Sequence, residues 1–206
     1  MENIDFEFSN TIKGFMADSE ALCLYQIASR ASKFGPALEI GSYCGKSAYF
    51  IGKGCKENSS ILYSVDHHKG SEEQQLGEEY FDPELYDPNL ERVDTFKFFL
   101  NTIEQAELQD VVVPIVASSR VAGKMWSTPI SMLFIDGGHT FEAAMGDYEI
   151  WSKHILAGGF LVIHDIFMDP SKGGQAPRQV YENAIKSGRY TPFKMVDTLG
   201  VLIKNS

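Results

Sequence analysis

Apolar runs of strand length alternate with amphipathic stretches of helix length along most of the chain, and this alternation leaves few folds open. It predicts strands at 37–41, 59–66, 111–117, 130–136 and 158–165. Between and around them it predicts helices at about 15–33, 46–56, 93–108 and 141–156, a short one at 119–126 and another near 177–187. Strands joined through helices lie parallel, and helices then cover both faces of the sheet. The end of the chain differs. Two strands, about 191–196 and 199–204, are joined around Asp197-Thr198 by a link too short for a parallel crossover, so they should form an antiparallel hairpin. At 206 residues, with no internal repeat, the chain is expected to form a single domain over 1–206.

In such sheets ligands bind at the carboxyl ends of the strands, near the point where the strand order reverses. Every predicted strand ends there in polar or acidic residues: Glu39-Ile40-Gly41, Asp66, Ser118-Ser119 just after the third strand, Asp136-Gly137-Gly138-His139, and His164-Asp165. In "LEIGSYCGKSA" the glycines Gly41 and Gly45 let the backbone approach a ligand closely, and the helix after them offers free N–H groups. The spacing is G-x-x-x-G, not the G-x-G-x-x-G of a pyrophosphate loop, and Glu39 would repel a phosphate and welcome an ammonium. Asp66 stands where an acid accepts ribose hydroxyls. A ligand with a ribose and a positive charge but no required phosphate fits, and S-adenosylmethionine is such a ligand.

These residues resemble class I S-adenosylmethionine-dependent methyltransferases. "LEIGSYCGKSA" is similar to the cofactor loop of catechol O-methyltransferases, and "FIDGGHTFEAAMGDYEIWSKHILAGGFLVIHD" is similar to bacterial methyltransferases that modify sugars and secondary metabolites. The resemblance implies a Rossmann-like α/β three-layer sandwich with a mostly parallel seven-stranded sheet and an antiparallel last strand. It implies that Glu39, Gly41, Tyr43 and Ser47, with Ser42 and Gly45 in the same loop, hold the methionine end of the cofactor. Asp66, with His67 beside it, would hold the ribose, and Ser118 and Ser119 the adenine. Asp136, also counted with the cofactor-binding residues, and Asp165 match two Mg²⁺-binding carboxylates. His139 falls where the catechol enzymes place a catalytic lysine, so the implied catalytic set is His139, Asp136 and Asp165. The implied reaction is O-methylation of a small hydroxylated acceptor such as a sugar, a phenol or a secondary metabolite.

One position departs from the pattern. The third metal ligand, an Asn after the second acid, is replaced by Ile166, which cannot ligate. Two carboxylates with substrate oxygens can still hold Mg²⁺, or a histidine, His139 or His164, can complete a softer site for Mn²⁺. In its apolar strand, His164 otherwise reads as a structural residue. Two other enzyme readings share the strand-end residues: a metal-dependent hydrolase using Asp136, His139, His164 and Asp165, and an NAD-binding oxidoreductase.

Charge narrows the partners. The formal net charge of −10 argues against nucleic acid and anionic membranes, and no run approaches a membrane span. Three cysteines without metal-type spacing and an acidic start unlike a secretory signal point to the cytoplasm. The segment 67–92 carries eight acids against Lys69 and Arg92; it leaves the ligand rim and is long enough to act as a lid. The first long helix and the apolar closing strands offer surface for a homodimer.

Overall fold

The computed structural model describes residues 4–78, 80–138 and 140–206. Its seven-stranded sheet contains β1 (Ala37–Ile40), β2 (Leu62–Asp66), β5 (Val112–Val116), β6 (Ile130–Ile135), β7 (Ile155–Ile163), β8 (Tyr190–Val196) and β9 (Leu199–Lys204), in the order β5-β2-β1-β6-β7-β9-β8. The first five are parallel, and β9 runs antiparallel to both β7 and β8. The α/β Rossmann-like sandwich with its antiparallel strand is thus the fold adopted, and no helix among the described residues is long and apolar enough to cross a membrane. Strand order reverses between β1 and β6, so a crevice opens where those two strands end.

Side chains alternate across the sheet, giving two cores. One face buries Ala37, Leu62, Met132, Phe134, Phe160, Val162 and Val201 under α2 (Asp18–Ala31), α3 (Lys46–Lys56) and α4 (Phe96–Gln105). The other buries Leu38, Ile40, Leu133, Ile135, Leu161, Ile163 and Leu202 under α6 (Phe141–Trp151) and α7 (Ala176–Lys186), with the short α5 (Ser119–Ala122) at one end. Helices α2 and α3 cross closely at Gly54, where a Cβ would lie 2.7 Å from the Ser29 nitrogen and 2.8 Å from the Ala28 Cβ. Only glycine lets the two backbones meet there.

Three elements differ from expectation. A further helix, α1 (Phe6–Thr11), is capped by the Asp5 carboxylate and packs Phe6 on Phe50 and Phe8 on Tyr49. The strand predicted at 158–165 begins three residues earlier and stops at Ile163, which places His164 and Asp165 in the loop beyond it. Within 67–92 the chain makes two 3₁₀ turns and pairs β3 (Tyr86–Asp87) with β4 (Arg92–Val93), burying Leu85 and Val93 against Cys44.

Candidate functional site

A cavity of about 620 Å³ opens over the crevice at the strand ends. That volume lies in the usual range for small-molecule and cofactor sites. Its floor is the turn after β1. Gly41 has φ +84, and a Cβ there would sit 2.2 Å from the Asp136 carbonyl oxygen, so β1 and β6 approach each other only through a glycine. Tyr43 follows in a left-handed conformation, φ 47. The Asp66 carboxylate fixes this turn by accepting the N–H groups of Ser42 and Tyr43, both at 2.9 Å, and that of His68 at 2.7 Å. Asp66 lines the cavity as well, so a single acid shapes the loop and faces the cavity.

The loops after β6 and β7 bring three metal-type donors together. Oxygen or nitrogen atoms of Asp136, His164 and Asp165 lie within 4.8 Å of one another. His164 Nδ1 is 3.0 Å from Asp136 Oδ1 and 3.6 Å from Asp165 Oδ1. Its Nε2 is 3.1 Å from the carboxylate of Glu20, in the first turn of α2. Burial works against a charged imidazole here, but Asp136, Glu20 and Asp165 outweigh it and lift His164 to about 11. Burial likewise pushes Glu20 up, yet its bonds from His164 and Thr198 hold it down at about 2.

These three residues fit a divalent cation. A cation arriving between the aspartates would displace the Nδ1 proton, and with Nε2–H given to Glu20 the freed Nδ1 lone pair would face it, the arrangement in which a second carboxylate orients a ligating histidine. His164 would thereby stand in for the ligand missing at Ile166, whose side chain is carbon only and buried. A donor set of one imidazole and two carboxylates suits Mn²⁺ or a later transition metal better than the all-oxygen set preferred by Mg²⁺.

A family model described as a methyltransferase domain matches residues 38–166, well over half of the chain. The chain belongs to the methyltransferase-domain family. Among solved structures, this methyltransferase-domain chain is similar to an O-methyltransferase from Bacillus cereus in complex with SAH, with 14% identity and a TM-score of 0.65 over 99% of this chain and 93% of that one. It is similar to the SAH-bound methyltransferase PaMTH1 from Podospora anserina, with 14% identity and a TM-score of 0.68 over 98% and 86% of the two chains. A protein of Acanthamoeba polyphaga mimivirus is 31% identical over 67 residues; the match spans 32% of this chain and 30% of that protein's length.

The methyltransferase-domain fold brings most of the expected site residues to one place. Gly41, Ser42, Tyr43, Ser47, Asp66, His67, Ser118, Ser119, Asp136 and Asp165 all line the cavity. Two expected cofactor contacts do not. Glu39 is fully buried on the α3 side of the sheet, where Ser64 and Ser47 donate to its two oxygens at 2.5 and 2.8 Å. Its side chain alternates away from the crevice and ties β1, β2 and α3 together, off the cavity wall. Burial pushes its carboxyl up to about 8, which leaves it largely uncharged at neutral pH. Gly45 (φ 93) also lies off the cavity, with the position of its missing Cβ walled by Thr102 and Phe99. His139 lies outside the described residues.

Two residues not anticipated from sequence belong to the site. Glu20 orients His164 across 144 positions of sequence, and Asp147 of α6 faces the cavity beside Ser119 and Gly137. Glu20 sits in no recognisable motif, and Asp147, although inside the stretch that resembles bacterial methyltransferases, reads there as an ordinary helix residue; each reaches the site from a helix through tertiary packing.

Proposed function

We propose that this chain binds S-adenosylmethionine and transfers its methyl group to a hydroxyl of a small acceptor. The observation that carries the reading is the single cavity that joins the Gly41 turn, Asp66 and the Asp136–His164–Asp165 cluster, within the segment matched by the methyltransferase family model. The relatives crystallised with SAH, and the O-methyltransferase TomG of Streptomyces achromogenes solved with SAM (13% identity, TM-score 0.63, 93% of this chain and 82% of that one), support it.

The sulfonium brings its own leaving group, so the protein must mainly align an oxygen behind the methyl carbon and dispose of that oxygen's proton. Asp66 accepts the ribose hydroxyls. The backbone of Gly41 and Ser42 lies against the methionine portion. Asp136, His164 and Asp165 would hold a divalent cation, which when bound lowers the pKa of a coordinated hydroxyl. His139 is the proposed base, since an imidazole with an ordinary pKa near 6.5 takes such a proton at neutral pH. The loop 67–92, whose Gly70, Ser71, Glu72, Glu73 and Gln74 form one wall of the cavity, is proposed to close over the bound pair as a lid.

Calorimetric titration with S-adenosylhomocysteine, with and without Mn²⁺ and with NAD as control, tests the cofactor reading. Micromolar binding of S-adenosylhomocysteine and none of NAD is expected; the reverse pattern rejects the methyltransferase assignment. Once an acceptor is found by screening, His139→Ala should lower turnover by about 10²–10⁴-fold, the usual contribution of a general base.

A further inference from the structure

The cavity has two ends, and Asp66 lies between them. At one end are His164 and Asp165, which follow β7; at the other are Ser118–Arg120, which follow the edge strand β5, with the face of α6 whose Trp151 reaches Ser119, while Asp66 ends β2 between them. A nucleoside whose ribose meets Asp66 and whose sulfonium must reach the carboxylates of the first end places its base at the second. The second end has open space beside α6. Its α6 face presents Ala143, Gly146, Asp147 and Ile150, and a Cβ on Gly146 would meet nothing within 4 Å. Across from it, Gly137 leaves room for the Asp147 carboxylate; a Cβ there would lie 3.1 Å from Asp147 Oδ2.

Asp147 is 8% exposed, and that remnant belongs to the cavity wall. Among the described residues its hydrogen-bond partner is the Ser119 hydroxyl, which in turn accepts the Trp151 indole N–H at 2.8 Å. A carboxylate has about four acceptor sites, and one hydroxyl leaves most of them unfilled in a place nearly without water. Burial raises this carboxyl to about 6, the mark of an acceptor short of donors. Unsatisfied buried acceptors are costly, and a ligand that brings N–H groups removes that cost. We propose that the Asp147 carboxylate accepts a hydrogen bond from the 6-amino group of the cofactor's adenine and so makes the site selective for adenine over bases that carry a carbonyl at that position. Ser119 holds the carboxylate in place from behind, and Trp151 holds Ser119.

The inference rests on the cofactor reading above, and the test separates the two. Full-length protein is titrated with S-adenosylhomocysteine and with S-inosylhomocysteine, in which the 6-amino group is replaced by a carbonyl oxygen. The wild type should prefer the adenine compound by about tenfold or more, because the carbonyl faces an acceptor and leaves both unpaired. Asp147→Asn keeps the shape, and its amide donates to the carbonyl, so the preference should collapse toward unity or invert. Thermal melting of the variant accompanies the titration. A wild type that binds both compounds equally overturns the proposal on its own, whatever the variant does. A variant that melts normally and keeps the full preference also overturns it, leaving Asp147 as a structural tie between α5 and α6. Binding of neither compound by the wild type overturns the cofactor reading and this inference together.

Discussion

Glu39 shows how a single charge changes meaning with its direction. In the sequence it stands beside the glycine turn at the end of a strand, where a carboxylate reads as a partner for a ligand ammonium. In the fold it points to the opposite face and is closed in by Ser47 and Ser64. The strand end lies where the sequence places it, and the side chain points to the other face; one residue of alternation separates the cavity wall from the buried core. The difference is measurable. Burial raises this carboxyl from its ordinary 4.5 to about 8, so between those values the native protein keeps a proton that the unfolded chain has released. Native stability contributed by this group is therefore full at low pH and falls as pH rises through that window. Glu39→Gln cannot ionise and keeps the acceptor for a serine hydroxyl. Its melting temperature should decline less than the wild type's from pH 5 to pH 8, and parallel curves for the two proteins would contradict the assignment. Gly41 makes the companion case. Gly41→Ala places a methyl group into the Asp136 carbonyl and holds alanine at φ +84. Binding of S-adenosylhomocysteine should weaken by at least about tenfold, equivalent to about 1.4 kcal/mol, read by calorimetry.

The elements carry the site on their ends, and the ends were the readable part. Period-two and helical patterns located all seven strands of the main sheet, because each apolar face must meet a core and its spacing records which kind of element supplies it. Helix α1 was not readable that way. "FEFSNT" is too short to be stable alone, and forms because Asp5 caps it and Phe50 and Tyr49 receive its aromatics. Glu20 was hidden for a related reason: on α2 it looks like an ordinary first-turn acid. In the fold it ties three separate elements together. It accepts Ala17 N–H at the start of α2, the Thr198 N–H and hydroxyl in the β8–β9 turn at 2.8 and 2.7 Å, and His164 Nε2 beyond β7. Glu20→Ala strands a buried imidazole and a backbone donor at once. It should cost about 3 kcal/mol in urea unfolding, in the range found when one partner of a buried charged pair is removed. A loss below about 1 kcal/mol would mean that water repairs the gap. The same variant should weaken Mn²⁺ binding, since nothing then fixes which His164 nitrogen faces the aspartates.

Considered as one molecule, the chain builds its cavity from pieces far apart in sequence, and some of the walls are joined only at the surface. The Lys13 ammonium pairs with Asp82 and with Glu84, the latter at 2.7 Å, and Phe15 packs edge-on against Tyr80 with ring centroids 5.5 Å apart. These contacts join the segment before α2, whose Lys13 and Phe15 line the cavity, to the acidic loop 67–92. Exposed ion pairs add little to global stability, so Lys13→Ala should change the unfolding free energy by less than about 1 kcal/mol. Its effect should appear locally, as faster proteolysis within 67–92 and faster release of S-adenosylhomocysteine. Unchanged cleavage and release would show that the loop is held by its own core of Leu85, Val93 and Cys44.

The position of β9 bears on how the protein is made. This strand, residues 199–204, lies inside the sheet between β7 and β8, and the turn leading into it is what Glu20 grips. On a ribosome, β1 through β7 emerge first, but β7 keeps an open edge and Glu20 has no Thr198 to hold until the last of these strands has cleared the exit tunnel. A nascent chain therefore carries all of its Asp66, Asp136 and Asp165 chemistry for some time before it can hold that chemistry in shape. The unpaired β7 edge is open to wrong partners during that interval, and pairing with residues 199–204 is what closes it.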